Sequence, residues 1–356
     1  MRVLLNAPAP ENHGGVANYC KALLPHFRAD VEVMHRGSRA GETGVAARAK
    51  RLAQDTARLV QTLKHGRFDV VHQNTSFYGP GIARDAILAN RAKASGAKLF
   101  IRLHGWDHAF EPTFNSRRFA WIKQQYFNAD AIAVDADEYE QKIRAWGYTG
   151  RMFRETTVVD DELLGQRPEG EPSHPLTVLF LARLAEDKGV IEALEATRLV
   201  QEKHPDLHIV VAGEGPVKAR AEAWVAERGM PNVSFPGYVR DADKAAVFAS
   251  SDLYLLPTLH GEGLPTSILE AMAFGLPIIT RPMGGIPDHL RDGENGFLTE
   301  RTDPETFAGF VTRLVEDDTL RKAQGERNQT VARERYLAST VAARLESAYA
   351  TLAETN

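Results

Sequence analysis

The most constraining feature of this sequence is a regular alternation of short apolar runs with longer stretches of helical periodicity. It occurs twice along the chain. Such alternation is typical of parallel sheets whose strands are joined by crossover helices. The apolar runs predict strands at 3–5, 31–34, 69–72, 99–103 and 131–134, and again at 177–181, 208–212, 233–235, 253–256, 278–279 and 296–298.

A proline- and glycine-rich segment interrupts the alternation. Residues 165–175 contain three prolines and two glycines, a composition typical of an interdomain linker. The length of 356 residues suits about two domains. We therefore predict an α/β chain with an N-terminal doubly wound domain over 1–168, a second over 169–330, and a helical tail over 331–356 that packs back toward the first.

Composition excludes several classes of protein. The single cysteine, Cys20, rules out an intrachain disulfide and a Cys-rich zinc site, which fits a reducing compartment. The apolar run at the N-terminus is too short for a signal peptide, and no run is long enough to span a membrane, so we expect a cytoplasmic protein. Residues 1–170 carry 24 basic and 19 acidic side chains and residues 171–356 carry 19 and 28, so nucleic acid is not an expected partner.

Glycine-rich turns follow two predicted strands, but neither matches a dinucleotide fingerprint. The turn after the first strand contains Gly14 and Gly15, and the turn at Gly213 lacks the third glycine of that motif. A helix that begins after such a turn can still bind phosphate through its free N–H groups. The alternative is that Gly14 and Gly15 form only a tight turn.

The segment 260–280, HGEGLPTSILEAMAFGLPIIT, concentrates polar groups at one predicted helix start. Pro265 suits the first turn of a helix and Gly275 its end. The first turn would offer unpaired N–H groups, with Glu262 in the preceding loop and Glu270 inside the helix. Carboxylates accept hydrogen bonds from hydroxyl groups, so this element suits a sugar or ribose beside an anion.

Two cations follow the first strand of the second half. Arg183 and Lys188 lie in a loop from which an arginine fork and a lysine point charge can hold a diphosphate. The alternative is that they are ordinary surface cations.

Together with Met283-Gly284-Gly285, these motifs resemble the retaining glycosyltransferase family 4. The resemblance implies a GT-B architecture, in which two Rossmann-like domains flank a cleft. It also implies a retaining transfer of a hexose-type sugar from a nucleotide diphosphosugar, UDP- or GDP-linked, to a hydroxyl of a glycan or lipid-linked acceptor. The expected context is bacterial surface polysaccharide or glycoconjugate synthesis. No cofactor is expected, because the nucleotide sugar is a substrate and no metal site is implied.

The resemblance also implies individual roles. Arg183 and Lys188 would hold the diphosphate, Glu270 the ribose hydroxyls and Glu262 the donor sugar, while His104 would lie beside the transferred sugar. Gly14 and Gly15 would approach the donor phosphates. We further expect donor contacts at Gly213, Tyr238, Val239, Gly263, Leu264 and Pro265.

Two departures from the family pattern lie on the acceptor side. Asp135 stands where the family often has serine, and 156–160, TTVVD, replaces an Asn-Gly-Val-Asp motif. Asp135 and Asp137 also mimic a metal-binding pair. We interpret them instead as acids at the start of a helix.

Three other functions remain open on sequence grounds. A sugar-nucleotide epimerase can share this fold, a glycoside hydrolase could use Glu262 and Glu270 as an acid/base pair, and an inactive binding module could retain the same loops. The hydrolase would leave the Arg183 and Lys188 clamp without a role.

A basic helix predicted over 45–63 raises the question of a membrane. The leucines and Val60 of this helix fall on one face, and its lysines and arginines occupy much of the rest. Over residues 36–67 the sequence has eight lysines and arginines but only two acidic residues. Such a helix can lie on anionic lipid at the inner face of the membrane. It can equally cover a Rossmann-like sheet with its bases in solvent.

Overall fold

The computed structural model describes residues 1–9, 14–37, 44–166, 174–261 and 263–354. The chain divides into two compact units, Met1–Val158 with Ala338–Asn356 and Val159–Leu337. The second unit begins ten residues before the predicted linker boundary at 168/169 and ends seven residues beyond the predicted 330.

Unit 1 is built on a six-stranded sheet in the order β2-β1-β3-β4-β5-β6, in which every neighbouring pair is parallel. Its strands are β1 (Arg2–Pro8), β2 (Asp30–Arg36), β3 (Val70–Phe77), β4 (Lys98–Trp106), β5 (Ala131–Val134) and β6 (Arg151–Arg154). Its helices are α1 (Gly15–Leu23), α2 (Val45–Gly66), α3 (Gly79–Ala94), α4 (Glu111–Phe114), α5 (Ala120–Phe127) and α6 (Asp137–Ala145), joined by the last helix of the chain, α15 (Ala338–Ala353).

The two faces of this sheet are covered by different helices. Side chains alternate along a strand, so Val3 and Leu5 face one core and Leu4 the other. The first core contains α1 and α15, including Tyr349, whereas the second contains Leu59 of α2. The C-terminal helix is therefore an integral layer of unit 1.

Unit 2 contains a second all-parallel sheet in the order β12-β11-β10-β7-β8-β9. Its strands are β7 (Thr177–Leu181), β8 (His208–Ala212), β9 (Val233–Gly237), β10 (Leu253–Leu256), β11 (Ile278–Thr280) and β12 (Gly296–Leu298). Its helices are α7 (Asp161–Gly165), α8 (Val190–Gln201), α9 (Lys218–Glu227), α10 (Asp241–Ala249), α11 (Thr266–Ala273), α12 (Ile286–His289), α13 (Pro304–Glu316) and α14 (Asp318–Arg335).

Local sequence signals explain where several of these helices begin. Asp303 caps α13 by accepting from the Thr306 N–H at 2.9 Å, and Pro304 occupies the first position, where its missing N–H costs nothing. The Asp317 carboxylate accepts from the Leu320 N–H at the start of α14. From Pro304 onward the chain forms three helices, and the predicted tail over 331–356 contains the end of α14 and all of α15, of which only α15 belongs to unit 1.

The prediction of two doubly wound parallel α/β domains is confirmed. In unit 2 the strands lie in the nucleotide-binding order 3-2-1-4-5-6. One strand was missed: β6, Arg-Met-Phe-Arg, is an edge strand with exposed arginines at both ends, so it lacks a continuous apolar run. No helix in the described ranges is both long enough and apolar enough to cross a bilayer.

Candidate functional site

The centre of the unit 2 sheet is the point at which the strand order reverses. The first strand of the unit, β7, pairs with β8 on one side and with β10 on the other. The chain segments that follow β7 and β10 run from the carboxyl ends of these strands in opposite directions. A crevice opens between them, and ligands of such sheets bind there. The loops that follow these two strands carry most of the predicted site residues.

The loop after β7 is held by backbone hydrogen bonds. The Ala182 N–H donates to the Ala212 carbonyl at 3.2 Å and the Leu184 N–H to the Glu214 carbonyl at 2.9 Å. Arg183 lies between these two anchored residues, and its side chain is exposed. The backbone of Arg183 is therefore fixed while its guanidinium remains accessible to a ligand.

Gly213 has a structural reason to be glycine. It adopts a φ of +140°, and a Cβ at this position would lie 1.9 Å from the Ala182 carbonyl oxygen. The β7 and β8 loops can approach this closely only without a side chain. Gly213 thus shapes the loop that presents Arg183.

Lys188 is buried and ends a 3₁₀ turn, Glu186–Lys188. The preceding residue, Asp187, ties this turn to the loop after β10: its carboxylate lies 2.6 Å from His260 Nδ1, and its carbonyl accepts from the Leu259 N–H at 2.8 Å. Gly189 follows with a φ of +78°, and a Cβ there would lie 2.5 Å from the Pro257 carbonyl oxygen. The loop after β7 and the loop after β10 therefore pack against each other around Lys188.

The start of α11 lies at this crevice. Pro265 is the N-cap residue, so the helix begins one residue later than predicted, and no side chain caps it. Gly263 and Leu264 are buried immediately before it. At the other end Gly275, at a φ of +83°, closes a Schellman motif in which the Leu276 N–H donates to the Ala271 carbonyl.

Tyr254 connects this helix to the central strand. Its hydroxyl donates to the Leu181 carbonyl at 2.8 Å and lies 2.7 Å from the Ser267 hydroxyl. The first turn of α11 is therefore fixed to the carboxyl end of β7, where the loop containing Arg183 begins.

Glu270 is buried on α11 and is paired with Lys244 of α10. The Lys244 Nζ donates to Glu270 Oε1 at 2.6 Å. Burial raises the pKa of Glu270, although Lys244 acts in the opposite direction. Because the buried carboxylate is poorly solvated, hydroxyl donors from a ligand would stabilise it.

Two further predicted donor contacts follow the edge strand β9. Tyr238 is 68% exposed, and Val239 packs partly against the unit 2 core. Glu262, the other predicted carboxylate, lies outside the residues that the structure describes.

His104 belongs to unit 1, near the carboxyl end of β4. Its Nε2 lies 2.8 Å from Asn74 Oδ1, and the Asn74 Nδ2 donates to the Asn6 carbonyl at 3.4 Å. Since Oδ1 can only accept, Nε2 carries the proton and Nδ1 is left as an acceptor.

The surroundings also hold His104 in its neutral form. Burial and the nearby Arg102 guanidinium lower its pKa well below the ordinary value. The Tyr19 ring packs edge-on against the imidazole with ring centroids 4.6 Å apart. A neutral imidazole of this tautomer can accept a hydrogen bond from a sugar hydroxyl.

Gly14 and Gly15 lie at the start of α1 and are exposed. A Cβ at either position would meet no atom within 4 Å. Neither glycine is therefore required by packing against the described residues.

Asp135 and Asp137 are engaged by arginines. Asp135 pairs with the buried Arg102, and Asp137, the first residue of α6, pairs with Arg154. Within the described ranges, no three His, Cys, Asp or Glu side chains form a cluster suited to a metal ion.

Sequence reasoning missed four residues that organise these sites: Asn74, Asp187, Lys244 and Tyr254. Each acts on a partner far away in sequence or through a side chain with no motif around it. Of the four, only Asn74 could have been noticed in the sequence, because it is one of several polar residues in the buried strand β3.

Comparison with known protein sequences gives three findings. The model of the family described as "Glycosyl transferases group 1" matches residues 165–331. A phosphatidyl-myo-inositol mannosyltransferase of Mycobacterium tuberculosis is 32% identical over 304 residues, which cover 82% of this chain and 76% of that protein. A putative colanic acid biosynthesis glycosyltransferase, WcaL of Escherichia coli K12, is 25% identical over 295 residues, 80% of this chain and 72% of that protein.

Among solved structures, Anabaena Alr3699/HepE in complex with UDP superposes with a TM-score of 0.74. The match covers 99% of this chain and 100% of that one at 16% sequence identity, a likeness that concerns the fold.

Proposed function

The chain belongs to the group 1 glycosyltransferases, and from that premise we propose that it transfers a hexose, with retention of configuration, from a nucleoside diphosphate sugar to a hydroxyl group of a glycan or lipid-linked acceptor. As a member of this family it is a glycosyltransferase of GT-B fold. The donor, the stereochemistry and the acceptor are the proposed parts.

One observation carries the proposal: the crevice of unit 2 combines charges and acceptors that complement a nucleoside diphosphate. Arg183 and Lys188 follow β7, the uncapped start of α11 faces the same sheet edge, and Glu270 is buried on that helix. Two cations and a helix N-terminus suit a diphosphate, and a carboxylate suits ribose hydroxyls.

The reaction follows from those groups. The bond between the sugar C1 and the diphosphate breaks, a bond from C1 to the acceptor oxygen forms on the same face, and the acceptor proton passes to a diphosphate oxygen. Negative charge grows on the leaving group, where Arg183, Lys188 and the α11 N-terminus stabilise it. Loss of one such preorganised contact typically slows a reaction by about 10²–10³-fold.

The neutral His104 would accept a hydrogen bond from a hydroxyl of the transferred sugar through Nδ1. Glu262 is proposed to contact the donor sugar, as the family resemblance implies. Because side chains and a helix terminus meet the diphosphate charge, the proposal requires no metal ion, and activity should persist in excess EDTA.

The names of the relatives suggest the donor and the pathway class. One solved neighbour holds UDP, and two relatives are named for colanic acid synthesis and for phosphatidyl-myo-inositol mannosylation. We therefore propose a UDP- or GDP-sugar donor and a role in bacterial surface polysaccharide or glycolipid synthesis, in the cytoplasm.

Nucleotide titration tests the donor site. We expect calorimetry to show selective binding of UDP or GDP over ADP, and Arg183→Ala or Lys188→Ala to weaken it by about 1.5–3 kcal/mol, the usual size for hydrogen bonds to charged groups. The matched control is Arg220→Ala on α9, whose side chain is exposed and pairs with Glu186.

Three results would contradict the proposal. Nucleotide affinity unchanged in both site variants would remove the diphosphate assignment. Conversion of the sugar nucleotide without an acceptor would indicate an epimerase. Cleavage of glycosides without any nucleotide would indicate a hydrolase.

A further inference from the structure

A second pocket, with a volume of about 620 Å³, lies entirely within unit 1. It opens at the carboxyl ends of three neighbouring strands, with Pro8 from β1, Arg36 from β2 and Asn74 from β3 in its wall. The strand order reverses between β1 and β3, so this edge is the ligand-binding edge expected for this sheet.

The wall of this pocket contains two arginines that share one carboxylate. Asp85 Oδ1 lies 3.2 Å from Arg36 Nη1 and 2.7 Å from Arg84 Nε, and Asp85 Oδ2 lies 3.0 Å from Arg84 Nη2. The Arg36 and Asp85 side chains are 4% and 1% exposed. The wall contains four arginines in all, whereas the described acids near them are Asp85 and the buried Asp55, which also acts on Arg84, so positive charge is in excess at this pocket.

The hydrogen bonds of Arg36 are also incomplete. Its Nη groups reach Asp85 and the Asn74 carbonyl, but its Nε is buried and has no hydrogen-bond partner in the described part of the chain. Buried donors are normally paired, so the pocket wall contains an unused donor beside an excess of positive charge.

The start of α3 adds to the positive potential. This helix has 16 residues, and its N-cap residue, Tyr78, provides no capping side chain. Tyr78 and Gly81 both line the pocket. A Cβ on Gly81 would make only ordinary van der Waals contact with Arg84 Nη2, at 3.4 Å, so the positive potential here comes from the helix N-terminus.

The remaining wall is polar and mostly cationic. Arg48 and Arg51 reach it from α2, and Thr75 and Ser76 supply hydroxyl groups. Arg48 is exposed and forms no ion pair with any residue that the structure describes. The other acid nearby, Asp55, is buried and accepts from the Gly37 N–H.

We propose that this pocket binds an oxyanion, a phosphate or a carboxylate, carried by a sugar of the acceptor. Arg84 and Arg48 contact the anion, and Arg36 and the start of α3 provide the surrounding positive potential. The pocket has the volume of a small-ligand site, with hydroxyl and amide groups for the sugar ring. That the ligand of this pocket is the acceptor rests on the proposed transferase function. That the pocket binds an anion does not depend on that function.

The test measures binding of three probes to the full-length chain: glucose 1-phosphate, glucuronic acid and methyl glucoside. UDP or GDP, whichever the nucleotide titration selects, is kept at saturation so that unit 2 is occupied. We expect at least one anionic probe to bind at least tenfold more tightly than the neutral glycoside, and the preferred probe identifies the anion as phosphate or carboxylate.

Variants locate the binding. Arg84→Gln and Arg48→Gln should each weaken the anionic probe at least tenfold without changing nucleotide affinity. The exposed Arg48 keeps the test valid if the Arg84 variant unfolds. Arg91→Gln, in the last turn of α3, is the matched control and should bind as the parent does.

Equal binding of charged and neutral probes, or full retention of binding in both variants, would overturn the proposal. Loss of probe binding in Arg183→Ala would place the probe in unit 2 and overturn it as well. These outcomes leave the donor site untouched, because that site is judged by nucleotide affinity in the Arg183 and Lys188 variants.

Discussion

Gly15 separates a requirement for folding from a requirement for ligand binding. It is the first residue of α1, exposed, with open space where a Cβ would project. Alanine is a better helix former than glycine by roughly 0.5–1 kcal/mol, so Gly15→Ala should fold at least as stably as the parent. If donor phosphates approach this backbone, the methyl group should still raise the KM for the donor by about tenfold.

Thermal unfolding and donor kinetics, measured on the same preparation, check both halves of this prediction. Parental donor kinetics would show that Gly14 and Gly15 form only a turn. A clear drop in melting temperature would show that the glycine serves the fold.

At the residue scale, sequence could nominate candidate residues where chemistry and position coincide, and their roles stay predictions. Arg183 and Lys188 were recognisable because they lie in the loop after a strand, and Glu270 because of its place inside a helix. Its partner Lys244 was not recognisable, because 26 residues separate them and nothing local marks the pair. The tautomer of His104 depends on Asn74, 30 residues earlier, and so required the structure.

At the scale of elements, the contact that fixes the start of α11 to β7 depends on one hydroxyl group. Tyr254→Phe leaves the Leu181 carbonyl and the Ser267 hydroxyl without this partner, which we expect to cost about 1–3 kcal/mol of stability. Because the same contact positions the helix N-terminus at the donor crevice, nucleotide affinity should also fall severalfold.

Tyr148→Phe is the matched control for Tyr254→Phe. The Tyr148 hydroxyl bridges the Ala129 and Arg151 carbonyls in unit 1, so its loss should lower stability similarly. Nucleotide titration should then separate the two variants. Equal nucleotide affinity in both would mean that Tyr254 serves only the fold.

Strands with continuous apolar runs were predicted closely, and β5, β7, β8, β10 and β12 have the expected bounds. Their side chains are buried on both sides of a parallel sheet, which leaves an unmistakable pattern. The strand β6 was missed because its exposed arginines interrupt the apolar run, and the start of α11 was placed one residue early because a helix start depends on its neighbours.

For α2, the structure restricts how it could meet a membrane. Leu59 is fully buried in the unit 1 core, whereas the bases Arg48, Lys50, Arg58 and Lys64 are exposed. With this part of the apolar face already used, we expect any association with anionic vesicles to be electrostatic. The chain should sediment with them at about 0.01 M salt and be released at about 1 M, where the screening length falls from about 30 to 3 Å.

Vesicles of neutral lipid are the control for this sedimentation. Binding that survives high salt would show that apolar side chains insert into lipid. Absence of sedimentation at low salt would leave α2 as a helix that only covers the sheet.

At the scale of the whole molecule, the chain passes from unit 1 to unit 2 at 158/159 and returns at 337/338. The proline-rich segment predicted a later boundary between the two domains. A shift in composition marks a loop, but it does not show with which domain the residues before that loop make contact. The backbone already joins unit 2 at Val159, whose N–H donates to the Tyr336 carbonyl. Such a pairing between distant segments cannot be seen in a local pattern.

The two units also differ in how protons affect their stability. In unit 1, burial and the Arg102 charge lower the pKa of His72 to about 3, and they lower that of His104 well below its ordinary value. In unit 2, burial raises the pKa of Asp252 and of Glu270. At a pH between the folded-state pKa and the unfolded-state pKa of about 6.5, each of these histidines binds a proton only in the unfolded chain. The stability of unit 1 therefore falls as the pH decreases below about 6.5.

We therefore expect unit 1 to lose about 1.4 kcal/mol for each of these two histidines between pH 7.5 and 5.5. Urea unfolding followed by tryptophan fluorescence measures this loss, because Trp106, Trp121 and Trp146 lie in unit 1 and Trp224→Phe removes the signal from unit 2. His72→Gln should lower stability at both pH values, since it removes the contact with Tyr349, yet it should halve the difference between them. An unchanged difference in this variant would show that His72 does not titrate on unfolding in this range.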